Sequence, residues 1–204
     1  MASGDTDVSI CSIALLKLGA TSITSFTDGT APASVCQVIY PKVKASSLSM
    51  YPWSFTLTKV QLSRLTSTPN STWQYEYTLP TSMITGVPRK VMASSSVGSP
   101  MIKDYEIQGA KLLTDQTTIF IDYQADVAEG SLPTYFVDFL VHQLCWNLSE
   151  AITDQIEKSI YWREVALGTE GENRRGGEFR RAMHIDSAGQ TTPVIGEYLL
   201  TEVR

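Results

Sequence analysis

The sequence has little charge and no long apolar run. Asp, Glu, Lys and Arg make up 18% of its 204 residues, which is less than globular proteins usually carry. No apolar stretch reaches the roughly 18 residues that a membrane span needs. Asp5 and Asp7 stand where a signal peptide would be positive. We therefore expect a soluble protein that is made in the cytoplasm and does not bind membranes, with part of its surface covered by partners.

Cysteine is scarce and forms none of the familiar motifs. The chain has three cysteines, widely spaced and each in an apolar helical pattern, namely Cys11, Cys36 and Cys145. There is no CxxC pair and no Cys/His cluster of the kind that binds metal or exchanges disulfides. We interpret them as reduced, buried thiols and expect neither a metal nor a cofactor.

The short motifs of common enzyme classes are also missing: there is no P-loop, GxSxG, HExxH or EF-hand loop. His142 lies within a helical pattern beside Leu144 and Cys145, which favours a core or interface histidine. His184 has no Ser, Cys or Asp constellation that the sequence pairs with it. Glycosidase chemistry needs only two facing carboxylates, so the many Asp and Glu residues carry little information. We expect the protein not to be an enzyme.

Positive charge is concentrated in one place. The formal net charge of −5 does not support attraction of the whole molecule to nucleic acid or to anionic membranes. The stretch "RRGGEFRR" holds four arginines: Arg174, Arg175, Arg180 and Arg181. Docking onto an acidic partner protein is the favoured interpretation. The alternatives are a solvated helix end, where cations suit the helix dipole, and phosphate contact.

Two N-terminal segments have helical spacing. The first, about residues 6–18, carries an apolar stripe: Val8, Cys11, Leu15 and Leu18. The second begins with a proline suited to a first helical turn and continues to about Tyr51. A proline inside a helix removes a backbone hydrogen bond and clashes with the preceding turn, so Pro41 predicts a bend or a break near Tyr40.

The period of the pattern changes at "YPW", residues 51–53. Pro52 disfavours helix before it, and from Trp53 apolar residues occupy alternate positions, as in a half-buried strand. Apolar residues alternate in a similar way in "TWQYEYTLP", "YEIQGAKLL" and "TTIFIDYQA". Together with segments 53–62 and 83–92, these stretches predict a small antiparallel sheet of about five strands. One hairpin should turn at Gln108-Gly109.

Helical spacing returns after residue 133 with an apolar stripe too broad for a surface helix, so this helix should be central. Another helix should begin near Gln155. The last residues show no helical period but end in an apolar cluster, Tyr198, Leu199 and Leu200, which suggests docking. The predicted fold is α+β: a bundle of about four helices from residues 1–52 and 131–182, an inserted β layer at 53–130, and an extended C-terminal docking tail at 183–204.

Five ordered motifs resemble those of the tail tubular protein A family, the head-to-tail adaptor (gatekeeper) proteins of podovirus-like phages. The resemblance covers roughly residues 8–165. The matching residues are Cys11, Ala14, Leu15, Leu18, Gly19 and Ala20; Cys36, Tyr40 and Pro41; Pro52, Trp53 and Phe55; the run from Trp73 to Pro80; and the run from Tyr105 to Thr114.

The resemblance implies a virion structural protein that forms a dodecameric ring beneath the portal, extends the DNA channel and presents a platform for the tail. Its partners would be further copies of itself, the portal protein, the tail nozzle protein, tail fibres and genomic DNA that passes without sequence-specific binding. A negative channel lining would let DNA slide without sticking.

In such a protein the motif residues would be structural. The expected joint between the helical and β parts consists of Pro52, Trp53, Phe55, Trp73, Tyr75 and Tyr77, with indole and hydroxyl groups paired. Two alternatives stay open: a cell-wall-degrading tail component, and a protein that binds nucleic acid through the arginines of residues 174–181.

Overall fold

The computed structural model describes residues 4–67, 69–96 and 99–189 and shows an α+β fold. Within these residues five helices and six strands are formed. The helices are α1 (Asp7–Leu18), α2 (Ala31–Ser49), α3 (Thr134–Thr153), α4 (Ile156–Leu167) and α5 (Gly177–Ala188). The strands are β1 (Leu57–Gln61), β2 (Tyr75–Thr78), β3 (Lys90–Met92), β4 (Glu106–Gln108), β5 (Lys111–Thr114) and β6 (Phe120–Gln124).

Helix α1 confirms the prediction from its apolar stripe, because local signals define both of its ends. At the start, the Thr6 side chain accepts from the Ser9 amide, and the Ser9 side chain accepts from the Thr6 amide. At the end, Gly19 takes a left-handed conformation with φ of 81°, which a glycine adopts without a steric penalty.

Helix α2 runs through Pro41 without interruption, so the break considered near Tyr40 does not occur. The Pro41 ring is on the exposed side of the helix, while Tyr40 and Val43 are buried against the rest of the protein. Tertiary packing of an apolar face supplies most of the stability of a helix in a protein. Here it outweighs the one backbone hydrogen bond that the proline removes.

Helix α3 is central, as its broad stripe predicts. It contacts each of the other four helices. Its buried residues surround most of the helix: Phe136, Val137, Phe139, Leu140, Val141, Gln143, Leu144, Cys145, Leu148 and Ser149. A helix buried on nearly all sides needs apolar residues on nearly all sides.

The sequence prediction missed α5. It begins at Gly177 and includes residues 183–188, which were expected to be extended tail. Its buried residues Phe179, Ala182 and Asp186 follow helical spacing, but the charged and glycine-rich sequence before them hides the pattern. Residues 190–204, with Tyr198, Leu199 and Leu200, lie outside the described residues.

The β layer consists of two three-stranded antiparallel sheets, in the orders β1-β6-β3 and β2-β5-β4, instead of one five-stranded sheet. The β4–β5 hairpin confirms the turn at Gln108-Gly109. The strand expected from Trp53 starts only at Leu57, because residues 54–56 form a 3₁₀ turn. The strand expected over 83–92 is reduced to β3, which starts just after Pro88, a residue that cannot donate to a ladder.

Each of the two layers has its own apolar cluster. One is helical and includes Trp53. The other lies between strands and contains Leu62, Tyr77, Leu79, Val91, Leu112, Ile119, Ile121 and Tyr123. Gln124 of β6 links the layers by donating to the Tyr51 carbonyl at 2.9 Å. Among the described helices, none combines the length and apolarity needed to cross a membrane.

Candidate functional site

Trp53 of the "YPW" motif lies in the centre of the helical core. Its side chain is fully buried, and its indole N–H donates to the Ser47 carbonyl at 3.0 Å. The ring meets Phe136 edge-on at a centroid distance of 5.1 Å and Phe179 at 6.1 Å. Phe55 stacks beside it at 6.2 Å. Residues of three helices therefore pack around the segment at which α2 ends and the β layer begins.

A buried carboxylate fastens α5 to the same point. Asp186 accepts hydrogen bonds from the Ser54 amide at 3.0 Å, the Ser54 hydroxyl at 2.6 Å and the Tyr135 hydroxyl at 2.6 Å. Burial, together with the adjacent Asp186 carboxylate, raises the pKa of Tyr135, so this hydroxyl keeps its proton and remains a donor. The joint is thus fixed by polar contacts as well as by aromatic packing.

The aromatic residues of the β motif do not join Trp53, so that part of the predicted joint is wrong. Tyr77 belongs to the strand cluster and donates to the Gln116 carbonyl at 2.7 Å. Trp73 lies ahead of β2, and its indole donates to Glu106 at 3.0 Å. Tyr75 packs on the strand cluster beneath the Arg64 guanidinium, at 4.9 Å. Because β2 pairs with β5, these residues follow the second sheet, away from α2.

The four arginines of "RRGGEFRR" are exposed. Arg174 pairs with Glu170 at 3.0 Å, and Arg181 pairs with Glu178 at 3.2 Å. Arg180 and Arg181 lie in the N-terminal half of α5, where cations do not complement the helix dipole. For these two arginines a favourable interaction with the dipole of α5 is therefore excluded, while the solvated position that this alternative also expected agrees with their exposure. Docking by these arginines stays a prediction, and nearby glutamates reduce the positive charge they present.

An open groove of about 810 Å³ lies beside α2, opposite the segment 81–84. At its floor the Lys44 ammonium is 2.9 Å from a Glu129 oxygen and 3.2 Å from an Asp126 oxygen. The Tyr40 hydroxyl also donates to Glu129, at 3.4 Å. The rest of the lining is mixed: Asp7, Phe26, Gln37, Pro41, Ala45, Leu48, Thr81, Ser82, Met83 and Ile84.

The electrostatics of this groove do not suit acid–base catalysis. Burial alone would raise the pKa of Glu129, but the Lys44 ammonium and the Tyr40 hydroxyl lower it more, so the net pKa is below its usual range. A catalytic carboxylic acid needs the opposite, a pKa raised towards neutrality. Burial, and then the Glu129 charge, raise the pKa of Tyr40. The groove therefore has a paired Lys44–Glu129 charge in its lining.

The remaining candidate residues make contacts that are typical of structural residues. His142 donates from Nδ1 to the Asp138 carbonyl at 2.7 Å and accepts at Nε2 from the Lys17 ammonium at 2.9 Å, with the Trp162 ring beside it. It therefore connects α1, α3 and α4, as an interface histidine would. All three cysteines are buried. Within the part of the chain that the structure describes, no group of three His, Cys, Asp or Glu residues is placed to hold a metal ion.

Two outer helices expose apolar side chains. On α1, Ile13 and Leu16 point away from the core. On α4, Ile156 is 66% exposed, Tyr161 is 59% exposed and Ile160 is 43% exposed. Single exposed apolar residues are ordinary on a protein surface, but several on one helix face indicate an interaction site.

Comparison with known proteins does not assign the chain to a family. No family model matches it, and no curated protein matches it. The groove with Lys44 and Glu129 was not found from the sequence, because these two residues are 85 positions apart. The only local signal was Lys44 itself, a cation among the apolar residues of a predicted helix.

Proposed function

We propose that this chain is a virion structural protein, a head-to-tail adaptor that assembles as a dodecameric ring between a portal and a tail nozzle. In this role it extends the DNA channel and presents a platform for tail fibres. The observation that carries the proposal is a helical layer in which several motif residues are fully buried and whose outer helices expose apolar side chains.

The motif residues support a scaffold in preference to a reaction centre. Cys11, Ala14 and Leu15 of the first motif are fully buried, as are Cys36 and Trp53 of the following motifs. Residues that pack a core limit the side chains that the fold accepts at those positions. The first three motifs of the resemblance therefore include positions that build the helical layer.

The exposed faces support lateral assembly. A ring subunit needs two different surfaces, because a head-to-tail contact joins unlike patches of neighbouring copies. Such interfaces are richer in apolar and aromatic residues than a monomer surface. The outer faces of α1 and α4, with Leu16 and Tyr161 among their exposed residues, have this composition.

The charge of the chain suits a channel component. A net charge of −5 spread over the wall of a ring would repel phosphates and let a DNA duplex pass without sequence-specific binding. The partners in this proposal are further copies of the chain, the portal protein, the nozzle protein, tail fibres and passing DNA. The place of action is the virion.

The mass of the assembly tests the proposal. Light scattering should detect a species of about 270 kDa, twelve times the subunit mass of 22.5 kDa, or, after mixing with the portal protein of the same phage, a gain of about 270 kDa over the portal alone. An albumin control in place of the portal should leave the mass unchanged. A subunit that stays at 22.5 kDa with the portal present would contradict the proposal.

A further inference from the structure

The outer face of the sheet β1-β6-β3 is basic. Lys59 of β1 and Lys90 of β3 are both directly opposite Asp122 of β6, so the three side chains point to the same side. Their neighbours Val60, Val91 and Ile121 point to the other side and pack in the strand cluster. Since adjacent strands are about 4.8 Å apart, the two lysines are about 10 Å apart across β6.

The segment after the loop extends this face. The Ile102 amide donates to the Val91 carbonyl at 2.8 Å, and Met101 is bridged to Met92. Alternation then places Met101 and Lys103 on the outer side, where Met101 is 59% exposed. Two adjoining grooves, of about 430 and 420 Å³, carry four cations against one carboxylate. We call this surface the basic face: Lys59, Lys90, Met101 and Lys103.

The outer side of α4 has the complementary chemistry. Glu157 and Glu164 are seven residues apart, which places them on one line about 10.5 Å apart along the helix. Ile160 and Tyr161 lie between them, and all four side chains are exposed. We call this surface the α4 stripe: Ile156, Glu157, Ile160, Tyr161 and Glu164.

We propose that the α4 stripe of one copy docks on the basic face of the next copy. This inference rests on the proposed ring and names its lateral contact. The separation of the two glutamates matches that of Lys59 and Lys90, and the isoleucine and tyrosine side chains meet Met101. Since the stripe is in the helical layer and the basic face is in the β layer, the contact joins unlike surfaces, as a closed ring requires.

A second copy fits the basic face better than nucleic acid does. An exposed methionine between cations gains from apolar contact, and methionine is enriched in protein interfaces. A phosphate backbone offers no such surface. The net charge of −5 repels DNA, whereas Glu157 and Glu164 of another copy bring local negative charge to the basic face.

Charge reversal tests the contact. The variant Glu157→Lys with Glu164→Lys, and separately Lys90→Glu with Lys103→Glu, should each lower the ring fraction at least about tenfold. All four changes in one chain should recover part of the ring fraction, because Lys59 keeps its positive charge. Both sets leave the Lys59–Asp122 ion pair intact. The control, Lys42→Glu, reverses an exposed cation outside both surfaces and should assemble as the unchanged protein does.

Cross-linking separates a wrong contact from a wrong function. Ile160→Cys with Met101→Cys should give a disulfide between copies under mild oxidation, with little background because the native cysteines are buried. If the charge-reversed variants still form the ring and no cross-link appears, the docking proposal is overturned and the adaptor function is left intact. Absence of any ring, with or without portal, overturns both. A 20-base-pair duplex bound at low salt and released by Lys90→Glu with Lys103→Glu, in a ring that still assembles, would assign the face to nucleic acid instead.

Discussion

Replacing Trp53 by alanine tests whether the joint after α2 is anchored in the helical core. The side chain is fully buried among Phe55, Phe136, Phe139 and Phe179. Truncating a buried tryptophan costs about 3–5 kcal/mol through lost burial and the cavity left behind. The change also removes the indole donor of the Ser47 carbonyl, so we expect the loss at the upper end of this range.

The assay is urea denaturation followed by far-ultraviolet circular dichroism, because tryptophan fluorescence changes with the mutation itself. It should be done on the monomeric fraction, since ring formation would make the unfolding free energy depend on concentration. Trp53→Phe keeps most of the volume and should lose about 1–3 kcal/mol, chiefly from the unpaired carbonyl. It also keeps the test usable if the alanine variant does not fold.

Trp73→Ala is the matched control, because Trp73 is only partly buried and its indole partner Glu106 is exposed. We expect a loss of about 1 kcal/mol there. Equal losses at the two tryptophans, or a loss below about 1 kcal/mol for Trp53→Ala, would refute the claim that Trp53 anchors the joint.

Two further predictions concern the groove and the start of α5. Because Lys44 holds the folded pKa of Glu129 below its ordinary 4.5, the stability that Glu129 contributes is present above that pH and is lost as pH falls through the folded value. Urea titrations should therefore show the parent protein more stable than Glu129→Gln at pH 7, by about 1 kcal/mol, with the difference shrinking below pH 4.5; a gap that is the same at both pH values would contradict the pairing. Gly177 has a φ of 55°, and an added Cβ would be 2.4 Å from the Val165 carbonyl oxygen. Gly177→Ala should therefore cost about 1–3 kcal/mol in the same assay, while Gly171→Ala, where a Cβ has room, should cost less; equal losses would count against the close approach.

Elements with local signals at their ends could be predicted from the sequence. Helix α1 has a capping threonine and a terminal glycine, and the β4–β5 hairpin has a glycine at its turn, with φ of 59° at Gly109. Helix α3 was recognisable from an apolar pattern that surrounds it. In each case the residues that determine the element lie within it or next to it.

Features that depend on distant pairings could not be predicted. The two separate sheets follow from pairing β2 with β5 and β1 with β6, and no local pattern specifies the partner of a strand. The basic face collects one cation from each of three separate segments, so no stretch of sequence looks basic. The same holds for Lys44 and Glu129. Helix α5 was missed for a different reason, because its charged residues obscured a short apolar stripe.

The tie between Ser54 and Asp186 has a consequence for how the chain folds as it is made. The two residues are 132 positions apart. At ribosomal rates of about 5–20 residues per second, Asp186 is therefore synthesised on the order of ten seconds after Ser54. During that interval Trp53 has emerged but lacks the cover of Phe179. The nascent protein therefore presents an aromatic surface until its last described helix is synthesised, and the order of synthesis makes α5 the segment that completes the fold.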